Sequence, residues 1–312
     1  MSTTDRFEQL ITAATAAHAS RVCAVAHPCD EVSLNSAMQA AKLGVFQPVL
    51  VGPEAKIRKV AQEHDIDLNG CTIIDTPHSH ASAEAAVAEV QAGRASLLMK
   101  GSLHSDELLS AVLSYKGGLR TERRISHVFI MNVPNYDQLL FITDGAINIF
   151  PTLCEKADII RNAIDLHLAL GLGTPRVAIL SAVEQITEKI PSTIEAAALC
   201  KMADRGQIQG GILDGPLAMD NAISPEAAEI KGIRSEVAGY AQILLVPDLE
   251  AGNMLVKNLT FLSGADAAGI VLGARIPIIL TSRADSERTR LASCAVAALY
   301  SDSLLRNLPV AN

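Results

Sequence analysis

The chain has 312 residues, more than the roughly 100 to 200 of a single domain, and this length predicts two domains. Hydrophobic residues make up 49% of it and aromatic residues only 3%, so its core must consist of Ala, Val, Ile and Leu, as in a parallel sheet covered by helices. The formal net charge is −8, and the 26 Lys and Arg residues form no basic run, which argues against nucleic acid as a partner.

The sequence also indicates whether the chain spans a membrane, binds a metal or is exported. No apolar run approaches the roughly 18 residues that a transmembrane helix needs. The six cysteines are dispersed without a C-x-x-C pair, and the two histidines of the PHSH segment, His78 and His80, are weak evidence for a metal. The first residues, MSTTDRFEQL, lack the apolar segment of a signal peptide. We therefore expect a soluble cytoplasmic protein with reduced thiols and neither a metal site nor a membrane partner.

Short apolar segments of strand length alternate along the chain with longer, Ala-rich segments of helical length. The predicted strands cover residues 21–26, 48–51, 71–75, 96–100, 125–131, 139–143, 176–181, 210–214, 242–247 and 276–281. The main predicted helices cover residues 33–43, 81–92, 155–172, 193–203, 253–265 and 288–305. This alternation indicates an α/β fold with a mainly parallel sheet.

One pair of strands, 125–131 and 139–143, breaks the alternation. Only about seven residues separate them, too few for a crossover helix, so we expect an antiparallel hairpin. A loop at 144–151 and a long helix follow the hairpin, which places a domain junction near residue 150. The first α/β domain is predicted to comprise residues 1–149 plus 283–312, with the last helix returning to it, and the second to comprise residues 150–282.

Candidate ligand-binding residues were sought directly after the strands, because ligands of open α/β sheets bind beyond the carboxyl ends of the strands. Lys100, Gly101, Ser102 and His104 follow one strand and precede a helix. A cation, a glycine, a hydroxyl and an imidazole beside the amides of a helix N-terminus suit a phosphate or a carboxylate. The same residues are also compatible with a solvated turn and a helix cap.

Two further candidates flank the hairpin. Arg120 and Arg124 lie in the loop before its first strand, where they offer bidentate contacts to phosphate or pair with the neighbouring Glu122. Asp144 and Asn148 follow its second strand. They either line a ligand site or hold the turn by side-chain hydrogen bonds to the backbone.

The predicted second domain contributes three candidates and one false lead. Asp214 follows a strand there, and Gly252 and Asn253 open a helix whose amides are expected to face a ligand. Gly171 and Gly173 resemble the start of a dinucleotide-binding fingerprint. They follow a helix and precede a strand, which is the reverse of the required order, and the third glycine is missing.

The segment after the last predicted strand, TSRADS, is the final candidate. Ser282, Arg283 and Asp285 place a hydroxyl, a guanidinium and a carboxylate within four residues at a strand-to-helix turn. As a bare pattern the segment is also compatible with a helix N-cap and a carboxylate at the helix dipole, which is worth about 1 kcal/mol.

Six segments of the sequence together indicate a family resemblance. In chain order they are KGSLHSDELL, RISHVFIM, TDGAINIFP, DGPLAMDNAIS, VPDLEAGNML and IILTSRADS. From about residue 20 to the C-terminus the chain resembles the phosphate acetyltransferase and phosphate butyryltransferase family. It looks most like the phosphotransacylase part of enoyl-CoA hydratase/phosphate acetyltransferase bifunctional proteins, here expected to stand alone.

The resemblance implies an acyltransferase. It would transfer a short acyl group, acetyl to butyryl, reversibly between coenzyme A and inorganic phosphate. It also implies two α/β domains flanking a cleft, similar to isocitrate and isopropylmalate dehydrogenases, and a homodimer or a larger oligomer. No permanently bound cofactor is expected, with coenzyme A as co-substrate.

The resemblance assigns the catalytic residues to the TSRADS segment. Ser282 and Arg283 match the Ser-Arg pair of the acetyltransferases. The position of the family's proposed general base, an aspartate, is occupied here by Thr289. Asp285 is expected to lie one helical turn before Thr289 on the same face, and so to replace that base.

A second departure concerns the phosphate site. Leu109 stands where related enzymes have an arginine, and Arg120 or Arg124 is expected to supply that charge. Phosphate is expected to bind Arg283 with Lys100 and Arg120. The groups expected to face the oxyanion are His104, Ser102 and amides near Gly101 and Gly252.

Two alternatives stay open. The departures at Thr289 and Leu109 are compatible with a catalytically silent protein that binds coenzyme A or an acyl phosphate. A dehydrogenase of similar two-domain fold is the other alternative, and the absent dinucleotide fingerprint weighs against it.

Overall fold

The computed structural model describes residues 5–17, 20–115, 118–281 and 285–306. They form a mixed α/β fold, and no helix among them is long and apolar enough to span a membrane. In chain order the elements are α1 (Arg6–Ala16), β1 (Val22–Ala26), α2 (Glu31–Lys42), β2 (Gln47–Gly52), α3 (Glu54–Glu63), β3 (Thr72–Asp75), α4 (Ser79–Gln91), β4 (Leu97–Lys100), α5 (Ser105–Val112), β5 (Ser126–Asn132), β6 (Leu140–Thr143), α6 (Leu153–Ala169), β7 (Arg176–Leu180), α7 (Pro191–Asp204), β8 (Ile212–Leu217), α8 (Met219–Ile223), α9 (Pro225–Ile230), β9 (Ile243–Leu245), α10 (Leu249–Leu262), β10 (Asp266–Leu272), β11 (Ile278–Ile279) and α11 (Glu287–Leu305).

The chain divides into two compact units. The described part of the first unit lies within residues 1–123 and 268–306, and the second comprises residues 124–267. These boundaries differ from those predicted near residues 149 and 282. The reason is strand pairing: β6 runs parallel to β9, which draws the hairpin into the second unit, and β11 runs parallel to β4, which draws residues after 267 into the first.

The first unit has the strand order β3-β2-β1-β4-β11-β10. All its strand pairs are parallel except β10 with β11. The strands β1 and β4 are almost continuously buried, which explains why they read as unbroken apolar runs rather than alternating ones. Because the strands β1 to β4 and β11 are parallel, the loops that follow them lie at one edge of the sheet, which we name the carboxyl edge of the first unit.

A buried arginine connects the helices of the first unit. Arg21 is only 1% exposed, and its guanidinium donates two hydrogen bonds to the carboxylate of Asp302 on α11, at 2.8 and 2.7 Å. Its Nη1 donates to the carbonyl oxygens of Ala14 on α1 and Val45 before β2, both at 2.9 Å. The terminal helix α11 is therefore tied to the first unit by a buried ion pair whose arginine donates four hydrogen bonds.

The second unit has the strand order β5-β6-β9-β7-β8. Its strands β5 and β6 pair antiparallel, with Val128 opposite Thr143, which confirms the predicted hairpin. Its core is aliphatic, with side chains such as Met131, Ile142 and Leu244 from three strands packed against helices α8, α9 and α10. The carboxyl end of β6 therefore presents the segment that begins at Asp144.

Candidate active site

The turn after β4 lies at the carboxyl edge of the first unit and is packed against the turn after β1. The amide of Gly101 donates to the carbonyl oxygen of Ala26 at 2.8 Å. A Cβ at Gly101 would lie only 2.4 Å from the carbonyl oxygens of Ala26 and His27. Only glycine fits there, because the backbone of the turn after β1 takes the space of a side chain.

The neighbours of Gly101 are held in place by hydrogen bonds. The amide and the hydroxyl of Ser102 both donate to the carbonyl oxygen of His27, each at 2.9 Å. The ammonium of Lys100 lies 3.3 Å from the carbonyl oxygen of Leu103, to which it donates. The structure thus brings together the predicted Lys100, Gly101 and Ser102. Hydrogen bonds hold Gly101 and Ser102 against the end of β1.

His27, which was not predicted from the sequence, directly follows β1 at the same edge. Its backbone adopts a positive φ of 58°, an uncommon conformation for a residue other than glycine. Its Nδ1 lies 2.9 Å from the hydroxyl of Ser82 on α4. Burial, followed by the charge of Lys56, lowers the pKa of His27. The available signal was position: a histidine immediately after a buried strand of a parallel sheet.

His104 lies at the start of α5, where it is exposed and forms the N-cap without a side-chain capping hydrogen bond. Leu109 is half-buried on the same helix. Glu107, in the first turn, has one buried carboxylate oxygen without a hydrogen-bond partner among the described residues. The side chain of His104 is therefore accessible to solvent at this edge.

The TSRADS segment is described only in part. Ser282 and Arg283 lie outside the described residues. The helix α11 begins at Glu287 with Ser286 as its N-cap, so Asp285 precedes the helix. The expectation that Asp285 shares a helical face with Thr289 was wrong, because the capping hydroxyl is that of Ser286.

Thr289 itself is unavailable for proton transfer. It is 6% exposed, its amide donates to the hydroxyl of Ser286 at 3.2 Å, and its hydroxyl accepts from the same group at 3.1 Å. Arg290 donates from its guanidinium to the backbone carbonyl of Asp285. In this chain the start of α11 is thus a capped helix end, with Asp285 just outside it.

Arg120 lies elsewhere in the first unit. It pairs in an isolated antiparallel bridge with Ala274, which precedes β11, whereas Lys100 and Gly101 follow the parallel strand β4. Its guanidinium lies 4.6 Å from the ring centroid of Tyr115, whose side chain is 91% exposed. The structure therefore does not bring Arg120 together with Lys100, since the two stand at opposite ends of the parallel strands.

In the second unit, Asp144 holds the loop after β6. The carboxylate is 3% exposed. Its Oδ1 accepts from the amides of Ala146 and Ile147 at 2.9 and 3.0 Å. Its Oδ2 accepts from the amides of His127 and Asn148 at 3.2 and 3.3 Å, and from Asn148 Nδ2 at 2.6 Å. Of the two predicted roles of Asp144, these bonds support the one of fixing the turn.

Arg124 and Asn148 extend this network. The Nε of Arg124 donates to Asn148 Oδ1 at 2.7 Å, and its Nη1 lies 3.1 Å from a carboxylate oxygen of Glu155. The amide of Arg124 donates to Asp158 Oδ2 at 3.0 Å. Asn148 is 3% exposed. The structure brings Arg124, Asn148 and Asp144 together, with their polar atoms largely directed at one another.

Gly252 packs against this loop rather than offering its amide to a ligand. Its own amide donates to the carbonyl oxygen of Asp248, at 3.2 Å, inside α10. A Cβ at Gly252 would lie 2.9 Å from the Cα of Gly145. Asn253 donates from Nδ2 to the carbonyl oxygen of Gly145 at 3.2 Å. Both residues serve the close approach of α10 to the loop after β6.

Asp214 differs from its predicted position as well. It lies within β8, not after it, and it is half-buried with Oδ1 accepting from the amide of Gly215 at 2.8 Å. The predicted strand stopped too early because Gly215 and Pro216 are typical of a turn.

Among the described residues no group of three or more His, Cys, Asp or Glu side chains is placed to hold a metal ion.

The Asp144 network leads to a stability prediction. Replacing Asp144 with asparagine is expected to lower the free energy of unfolding by about 2–3 kcal/mol, because an amide donor replaces an acceptor of several buried N–H groups. The measurement is urea denaturation followed by circular dichroism. Asp137→Asn, an exposed position in the turn between β5 and β6, is the matched control. Equal denaturation midpoints for the two variants would contradict the proposed role of Asp144.

The fold and the first unit define a class: an α/β protein with a glycine turn, a lysine, a serine and two histidines at one sheet edge, chemistry suited to an anionic ligand. The phosphate acetyl/butaryl transferase family matches residues 78–298 of the chain. The chain belongs to this family.

Similar proteins and similar solved structures support this family assignment. A phosphate acetyltransferase of Rhizobium meliloti is 68% identical over 295 residues, which cover 95% of this chain and 93% of the relative. A phosphate butyryltransferase of Clostridium acetobutylicum is 44% identical over 276 residues, 88% of this chain and 92% of the relative. A branched-chain phosphotransacylase structure from Enterococcus faecalis V583 is similar with a TM-score of 0.79 and 29% identity, covering 90% of this chain and 99% of the other.

Proposed function

We propose that this protein catalyses the reversible transfer of a short acyl group, acetyl to butyryl, between coenzyme A and inorganic phosphate. The observation that carries the proposal is the 68% identity, across 95% of the chain, to a phosphate acetyltransferase. The relatives at 42–44% identity include both acetyl- and butyryltransferases, which supports a range of short acyl groups rather than one.

The reaction sets physical requirements for the residues. Phosphate attacks the thioester carbonyl, a tetrahedral oxyanion forms, and the thiolate of coenzyme A leaves. A thiol has an ordinary pKa of about 8.5, so a group on the protein must take its proton in one direction and return it in the other. Cationic side chains must also gather the phosphate, because the net charge of −8 repels anions from the surface as a whole.

The residues of the first unit meet these requirements in part. Within the proposal, Arg283 and Lys100 bind phosphate, Ser282 orients Asp285, and Ser102 and His104 face the oxyanion. The packing of the Gly101 turn on β1 supports this assignment, since it fixes Lys100 and Ser102. Arg120 is not included, because it lies at the other end of the parallel strands. Asp285 stays a candidate for the proton acceptor.

The proposal extends to assembly and location. The protein is proposed to be a cytoplasmic homodimer or larger oligomer, with coenzyme A as co-substrate and no permanently bound cofactor. An arrangement like that of isocitrate and isopropylmalate dehydrogenases belongs to the proposal too. The division of the chain into two compact units supports it.

The structure does not favour a dehydrogenase. Gly171 and Gly173 lie between α6 and β7, each with a positive φ, so they end a helix rather than open one beneath a dinucleotide. The absence of a strand-turn-helix context for this pair confirms the interpretation of GLGTP as a false lead.

Enzyme assays with three acyl-CoA substrates test the proposal. Acetyl-, propionyl- and butyryl-CoA are each incubated with the protein, with and without phosphate, and thiol release is measured. We expect phosphate-dependent release, lowered in Ser282→Ala. Binding of coenzyme A without any release would support the catalytically silent alternative and contradict the proposal. A change in nicotinamide absorbance with 2-hydroxy acids would support the dehydrogenase instead.

A further inference from the structure

His27 stands at a central place of the carboxyl edge of the first unit. The strand order β1-β4-β11 puts one strand between β1 and β11, and strands are about 4.8 Å apart, so the ends of β1 and β11 are about 10 Å apart. The turn between them is that of Gly101, whose lack of a side chain lets it pack on the backbone of Ala26 and His27. His27 therefore directly adjoins the turn that carries Lys100 and Ser102.

Hydrogen bonds fix which nitrogen of His27 carries the proton. The hydroxyl of Ser82 donates its one proton to the carbonyl oxygen of His78, at 2.9 Å. It must then accept from its other two neighbours, Thr76 Oγ1 at 2.8 Å and His27 Nδ1 at 2.9 Å. This assignment satisfies every contact of a fully buried serine and makes Nδ1 of His27 the protonated nitrogen. The lone pair is then on Nε2, for which the described residues show no hydrogen bond.

The backbone of His27 is held as firmly as its ring. Its carbonyl oxygen accepts from the amides of Cys29 and Ser102, at 2.8 and 2.9 Å, and from the Ser102 hydroxyl at 2.9 Å. Its own amide donates to Val51 at the end of β2, at 2.7 Å. A left-handed conformation is unfavourable for a residue other than glycine, and such conformations are concentrated at functional sites. These contacts hold the backbone of His27 in that conformation, and the contact of Nδ1 with Ser82 orients the ring.

The surroundings keep the ring neutral. Burial has the largest effect and lowers the pKa of His27 below its ordinary value of about 6.5. The charges of Lys56 on α3 and of His78, the N-cap of α4, lower it further, while those of Glu107 on α5 and of Asp30 before α2 raise it. Near neutral pH the ring is therefore unprotonated at Nε2, which is the state that a proton acceptor requires.

We propose that Nε2 of His27 is the proton acceptor for the thiol of coenzyme A, an inference that rests on the proposed function. In the direction of acyl-CoA synthesis, the S–H proton passes to Nε2 while the sulfur attacks the carbonyl carbon of the acyl phosphate. The bond from that carbon to the phosphate oxygen breaks, and His27 returns the proton to the departing phosphate. The products are acyl-CoA and hydrogen phosphate, and the histidine ends neutral as it began.

His27→Asn is the variant that isolates this role. Asparagine tolerates a positive φ and keeps an N–H that can donate to Ser82, but it has no basic nitrogen. With coenzyme A and acetyl phosphate, we expect kcat to fall roughly 100- to 1,000-fold with little change in either KM. The wild-type kcat/KM is expected to rise with pH through an apparent pKa below about 6.5, and this limb should vanish in His27→Asn. His80→Asn, an exposed histidine near the same edge, is the control and should keep the wild-type profile.

A second variant separates chemistry from packing. His27→Gly suits the positive φ and removes the ring, and added imidazole is expected to restore at least part of its lost kcat. Full activity of His27→Asn, or an unchanged acid limb with a loss confined to Asp285→Asn, would overturn the assignment and leave Asp285 as the acceptor. If wild type itself shows no acyl transfer, the proposed function fails rather than the role of His27.

Discussion

Replacing Arg283 with alanine is expected to lower kcat for acyl transfer roughly 1,000-fold, the loss typical when a donor to the developing charge of a transition state is removed. The reaction brings phosphate and a developing oxyanion to a protein of net charge −8. The surface as a whole repels these anions, so a local guanidinium must supply the electrostatic attraction. Arg283→Lys keeps the charge but loses bidentate contact and should fall between wild type and alanine. The measurement is steady-state thiol release from acetyl-CoA in the presence of phosphate.

Arg275→Ala is the matched control for this variant. Arg275 is an exposed arginine that precedes β11, at the end of the strand opposite to the TSRADS segment, so its removal changes the net charge equally without touching the proposed site. We expect its kcat to equal that of wild type. Equal losses in Arg275→Ala and Arg283→Ala would show that overall charge matters, and would contradict a specific role for Arg283.

Replacing Asp302 with alanine is expected to have the largest effect on stability, a loss of about 3–5 kcal/mol in the free energy of unfolding. The change leaves the buried guanidinium of Arg21 without its counter-charge, and only the carbonyl oxygens of Ala14 and Val45 remain as acceptors. Because Asp302 lies on α11, the docking of that helix on the first unit should weaken most. Urea denaturation followed by circular dichroism measures the loss.

An exposed ion pair provides the comparison. Lys201 and Asp204 on α7 are 2.6 Å apart, and their side chains are 65% and 61% exposed. Pairs of this kind contribute little, so Asp204→Ala should unfold close to the wild-type denaturant concentration. If the denaturation midpoint shifted by a similar amount in Asp204→Ala and Asp302→Ala, the burial of Arg21 would not explain the loss of stability in Asp302→Ala.

Much of the fold could be predicted because its strands are locally recognisable. The almost continuously buried strands β1 and β4 are apolar runs, and the hairpin of β5 and β6 follows from the short segment between those two strands. The boundaries of the units could not be predicted in this way, since they depend on β6 pairing with β9 about a hundred residues later. The strand β10 was missed, because its start, DAAG, resembles the Ala-rich helical segments.

The candidate site was predictable where a single turn carries the chemistry. Lys100, Gly101 and Ser102 were found because they follow a strand directly. His27 was not, although it has the same relation to β1, because its significance comes from Ser82 on a distant helix. The packing of Gly252 was not predictable for a related reason: a glycine near a helix start suggests open amides, and only the fold shows that it admits the Gly145 backbone.

The most direct test of the account is phosphorus NMR of wild-type protein incubated with acetyl-CoA and inorganic phosphate. The predicted result is a new acetyl phosphate resonance that grows in step with free thiol and disappears when coenzyme A is added in excess. Thiol release without any acyl phosphate would instead indicate a thioesterase, and would contradict the proposed transfer of the acyl group to phosphate.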